Sequence, residues 1–111
     1  MEKQSWRIED DGKWVYYRDG NKVKGLQKIG DRIFFFNMKG YLIKDTWLNI
    51  DGNMFYVLSN GECARGWKWI NGYNYYFHEK AKKDIPECSM ARNTVIAGVY
   101  LGDDGKAEPK K

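Results

Sequence analysis

The chain is poor in the residues that build metal centres and cross-links: 111 residues include two cysteines, two prolines and one histidine. A lone His78 excludes any two-histidine metal motif, and Cys63 and Cys88 lack the Cys-x-x-Cys spacing of a zinc site. No metal or cofactor is therefore implied, and two thiols leave room for one disulfide at most. No stretch approaches the length and apolarity of a membrane span, and nothing near Met1 has the apolar core of an export signal. Charge of one sign is scarce as well. There are 19 basic and 15 acidic residues, a net +4, spread through turns as a mixed solvated surface, and no basic stripe marks a nucleic-acid site.

Aromatic rings are what the chain has in quantity, 16% of its residues, and they recur. Trp6, Leu26, Trp47 and Trp67 open four similar segments at intervals of 20, 21 and 20 residues. Each segment passes a glycine (Gly12, Gly30, Gly52, Gly72) into an aromatic run, then reaches a second turn at Gly20, Gly40 and Gly61, with Ala81 in the fourth slot. The runs Trp14-Val15-Tyr16-Tyr17, Ile33-Phe34-Phe35-Phe36, Met54-Phe55-Tyr56-Val57 and Asn74-Tyr75-Tyr76-Phe77 favour pleated strands. Asp-Gly and Asn-Gly pairs between them supply hairpin turns. A period this short holds one hairpin. One hairpin is marginal alone, so the repeats must stack, and the expected fold is all-β, a solenoid of stacked β-hairpins.

The repeats are expected over residues 5–24, 25–44, 45–65 and 66–83 of a single module. A charged, Pro86-containing connection over 84–93 follows, irregular with room for one helical turn. Thr94-Val95-Ile96 and Val99-Tyr100-Leu101 around Gly98 predict an atypical C-terminal capping hairpin over 94–105, and the tail 106–111 is expected to be disordered. Strand alternation places Trp14, Phe35, Tyr56 and Tyr76 on one side, facing a groove, and Tyr17, Phe36, Val57 and Phe77 on the other as core.

Gly66-Trp67, Gly72 and Tyr75-Tyr76-Phe77, with Ser5-Trp6 and Gly12-Lys13-Trp14, resemble the cell-wall-binding repeat of Gram-positive surface proteins and lysins in its choline-binding branch. Gly25-Leu26-Gln27-Lys28-Ile29 resembles the related glucan-binding and clostridial toxin repeats. The resemblance covers roughly residues 5–78, with a weaker likeness from Ala91 to Gly105. It implies a choline cage made of a repeat-opening Trp, a Trp from the aromatic run and a third ring from the adjoining repeat. Only the first repeat has both tryptophans, because Ile33, Met54 and Asn74 hold the second position later and Leu26 replaces the first in repeat two. The candidate ligand rings are Trp6, Trp14, Trp47, Tyr56, Trp67 and Tyr76, and packing alone is the competing explanation for each. Trp69 is extra to the pattern: a sugar platform or a surface ring.

No chemistry is expected. Cys63 or Cys88 with His78 is the sole nucleophile and base on offer, without an orienting acid or oxyanion hole, and acidic residues such as Asp10, Asp11, Asp51, Asp103 and Asp104 fall in turns. The expected function is a noncatalytic module that binds a cell-wall polymer, choline-decorated teichoic acid or a glycan, outside the cell, attached to a lytic or adhesive domain. The alternative is a protein-interaction module whose closing segment around Val99 and Leu101 makes a homodimer.

Overall fold

The computed structural model describes residues 4–9 and 11–108; residues 1–3, Asp10 and the tail residues 109–111 lie outside them. Among the described residues every regular element is a strand. They are β1 (Gln4–Ile8), β2 (Trp14–Arg18), β3 (Asn21–Lys22), β4 (Gly25–Ile29), β5 (Arg32–Phe36), β6 (Thr46–Ile50), β7 (Asn53–Val57), β8 (Gly66–Ile70), β9 (Tyr73–Phe77), β10 (Thr94–Ile96) and β11 (Val99–Leu101). β1-β2-β3 form one small sheet, and β4-β5, β6-β7, β8-β9 and β10-β11 are separate two-stranded hairpins. In three repeats the register puts the opening residue opposite the ring two places past the variable second position: Trp6 faces Tyr16, Leu26 faces Phe35 and Trp67 faces Tyr76. Asp51-Gly52, Asn71-Gly72 and Ala97-Gly98 turn three of the hairpins with positive φ at both residues, the geometry that matches the twist of the flanking strands.

The chain divides into two compact units. The first comprises the described residues up to Thr46 together with Val57–Cys63, the second Trp47–Tyr56 and the described residues from Ala64 on. In the first, Leu42 N–H donates to the Trp14 carbonyl at 2.8 Å and the next residue, Ile43, donates to the Phe35 carbonyl at 2.9 Å. Two consecutive residues thus tie two consecutive hairpins. The second unit repeats the device: Met90 donates to Met54 and Ala91 to Tyr76, both at 2.8 Å, then Ala107 donates to Asn74 at 2.9 Å and Glu108 to Tyr100 at 3.0 Å. Backbone groups that a bare hairpin would leave open are satisfied in this way.

Phe36, Val57 and Phe77 are buried as the alternation requires, and Phe35 is buried too, 2% exposed, where a groove position was expected. Tyr17, expected in the core, is half-buried under the Arg7 guanidinium, 5.1 Å above its ring. Two further expectations fail for one reason. Lys106–Glu108 are not a loose tail, because Ala107 and Glu108 make the tying bonds of the closing hairpin. Over 84–93 there is no helical turn. His78 donates to the Ser89 carbonyl at 2.9 Å, where the matching bonds run from Asn37 to Tyr41, Leu58 to Glu62 and Gly102 to Lys106, so this loop spans 11 residues instead of 4 and brings Met90 and Ala91 to the tying positions. Arg65 Nη2 holds the loop through Glu87 Oε2 at 2.6 Å.

Gly61 closes a second turn at φ 87, and a Cβ added there would lie 2.6 Å from Leu42 Cδ2, whereas one at Gly72, φ 88, meets nothing within 4 Å. Gly72→Ala should therefore lose about 1–2 kcal/mol, the cost of left-handed backbone for an L-residue. Gly61→Ala should lose about 1 kcal/mol more, because it also displaces Leu42. Urea unfolding of the two variants checks the order.

Candidate functional site

Trp6 on β1 and Trp14 on β2 stand on the same side of the first hairpin with centroids 6.3 Å apart and planes 80° to one another. The second hairpin brings Phe34, 5.0 Å from Trp6 and inclined at 72°. Leu42, held by its bond to Trp14, and Asn60 and Glu62 complete an open groove of about 400 Å³. Trp14 remains 39% exposed, so its face is available. Trp6 also packs on the core cluster of Tyr16, Val23 and Phe36, which fixes its ring from behind.

The second unit contains the same construction. Trp47 lies 4.9 Å from Tyr75 at 68°, and Met54, Met90, Arg92, Asp103 and Asp104 line the rest of a groove of about 320 Å³. Met90 is tied to Met54 as Leu42 is to Trp14. In each unit a turn glycine backs the aliphatic wall: Gly61 against Leu42, and Gly105, φ 83, against Met90. A side chain at either glycine would occupy the space of that wall, which is why the turn needs this residue type.

Of the six candidate rings, Trp6 and Trp14 meet in the first groove and Trp47 lies in the second. Tyr56 packs against Trp47 at 5.1 Å within one hairpin and is not among the lining residues. Trp67 and Tyr76 pair at 5.1 Å, and Tyr76 lies 6.0 Å from the His78 ring, apart from both grooves. The third ring is Phe34 or Tyr75, one position before the rings that alternation selected. Repeat spacing gives the slot of a ring within its own hairpin, but which neighbour reaches a groove depends on how the next hairpin is tied on. Trp69 is 70% exposed.

No three His, Cys, Asp or Glu among the described residues are grouped to hold a metal, and Cys63 and Cys88 are both buried. The His78 imidazole is held below its ordinary value of 6.5, first by burial and second by the charge of Lys82.

No family model matches the chain. It is 31% identical over 75 residues to Glucosyltransferase-I of Streptococcus downei, a match to 65% of this chain and 5% of that protein. Its fold matches choline-binding protein F from Streptococcus pneumoniae with a TM-score of 0.78 over 94% of this chain and 33% of that one, at 23% identity. The chain has the fold of the choline-binding-type repeat solenoid. The choline-binding-type fold also relates it to the multimodular pneumococcal cell wall endolysin from phage Cp-1, solved with choline: TM-score 0.68, 24% identity, 81% of this chain and 25% of that one. The expected all-β hairpin solenoid is thereby borne out. The chain spans at most a third of any of these three proteins.

Because the folded state favours neutral His78, its contribution to stability is full above pH 6.5 and is lost as the pH falls through the lowered folded value. The urea midpoint should decline between pH 7.5 and 5.5. In His78→Gln that slope should flatten, since no other histidine is present.

Proposed function

We propose that this module is noncatalytic and binds choline-bearing polymer on a Gram-positive cell wall, through the groove of Trp6, Trp14 and Phe34. The observation that carries the reading is the arrangement of these three rings, Trp14 and Phe34 each steeply inclined to Trp6 around an open space that Glu62, 3.8 Å from the Arg32 guanidinium, also lines. A quaternary ammonium has no N–H to donate and is attracted instead to ring faces, about 0.5–2 kcal/mol for each. Three faces and one acidic residue give a site of about millimolar strength. The similarity to a choline-binding protein, to an endolysin solved with choline and to a glucosyltransferase supports a surface role beside a lytic or adhesive domain, outside the cell.

A glycan is the second ligand reading. It is favoured by the Glucosyltransferase-I similarity and by Trp69, the most exposed tryptophan and one that a sugar face could stack upon. The homodimer reading has a narrower base than the sequence suggested. Leu101 is fully buried, and the exposed large apolar side chains of the closing hairpin are Val95 and Tyr100 alone.

Choline titrated against tryptophan fluorescence should give a saturable change that Trp14→Ala abolishes while leaving the unfolding free energy within about 1 kcal/mol, because Trp14 is partly exposed. Choline should weaken the module's binding to cell walls, and wall binding that choline leaves unchanged would overturn this reading in favour of the glycan.

A further inference from the structure

The two grooves share a backbone but not a chemistry. In the second, Met54 stands where the first has Trp14, so one π face is gone. Its rim carries two exposed carboxylates, Asp103 and Asp104, delivered by the turn that follows β11, where the first groove has Asn60 and Glu62. A quaternary ammonium loses by this exchange, since it needs faces and cannot donate hydrogen bonds. An ammonium that keeps its N–H groups gains, since carboxylates accept charge-assisted bonds from it.

We propose that the second groove, between Trp47 and Tyr75 and under Asp103 and Asp104, is a site for a protonated primary amine borne on a sugar or polymer unit. The carbon beside the amine rests against the half-buried Trp47 ring, with the buried Tyr75 ring behind it, and its N–H groups point to the two carboxylates. Both are held in place: Asn93 Nδ2 donates to Asp103 Oδ1 at 3.0 Å, and the Lys106 backbone N–H donates to Asp104 Oδ1 at 3.0 Å. Lys106 Nζ, 4.0 Å from Asp104 Oδ2, also sits 3.9 Å above the Tyr73 ring, which shares its charge. Burial first, and the charge of Asp104 second, raise the pKa of the Tyr75 phenol that lines the groove. Arg92, anchored by Nη2 on the Gly52 carbonyl at 3.0 Å, lines the same groove and supplies a donor for an oxygen of the carrier. The charge complementarity is therefore to a cation with donors, attached to something with acceptors.

Five indole N–H resonances of the ¹⁵N-labelled chain report the grooves separately. Ethanolamine and choline, titrated at constant ionic strength, are the probes. Ethanolamine should shift Trp47 saturably and more tightly than choline does. The isosteric pair Asp103→Asn with Asp104→Asn should weaken that response about tenfold while the rest of the spectrum keeps its dispersion. A Trp47 response that favours choline, that ignores the double substitution, or that never saturates would overturn the assignment. Choline silent at Trp6 and Trp14 with the ethanolamine response at Trp47 intact would overturn the reading of the first groove and support this one.

Discussion

Everything in this chain depends on a pair of neighbouring backbone N–H groups that reach two different hairpins. A two-stranded hairpin of five-residue strands cannot bury enough surface to stand alone, and both of its edges are open. Leu42 with Ile43, Met90 with Ala91, and Ala107 with Glu108 close those edges by donating to carbonyls on two consecutive hairpins. The bonds are modest singly, about 1 kcal/mol each net, but leaving their buried acceptors unmet would cost more. They also fix where the next hairpin's rings fall, and so they make the grooves as well as the fold.

That coupling explains the residues around each groove. Leu42 and Met90 are tied through their backbones, line a groove through their side chains, and leave no room for anything but glycine at Gly61 and Gly105. Position along the chain, turn chemistry and groove lining are thus set together. The variable second slot, Trp14 or Met54, and the rim, Glu62 or Asp103 and Asp104, are free of that constraint, and there the two grooves differ.

The hairpins, their turns and most of the core were legible in the sequence because they rest on short-range rules: β-forming runs, Asn-Gly and Asp-Gly pairs, and two-residue alternation that buries Phe36, Val57 and Phe77. The first groove was half legible. Trp6 and Trp14 belong to one hairpin, so register alone brings them together, whereas Phe34 arrives from the next hairpin and alternation pointed to Phe35. Tyr75 escaped for the same reason. The loop over 84–93 and residues 106–108 were not legible because their role is carried by backbone bonds at Met90, Ala91, Ala107 and Glu108, and any residue except proline can make those.

The proposed three-ring groove for a quaternary ammonium follows from how the hairpins are tied. It is tested most directly by nuclear Overhauser effects from the N-methyl protons of bound choline. Contacts to the indoles of Trp6 and Trp14 and to the ring of Phe34 together are the expected result. Contacts confined to Trp69, or to Trp67 and Tyr76, would contradict it.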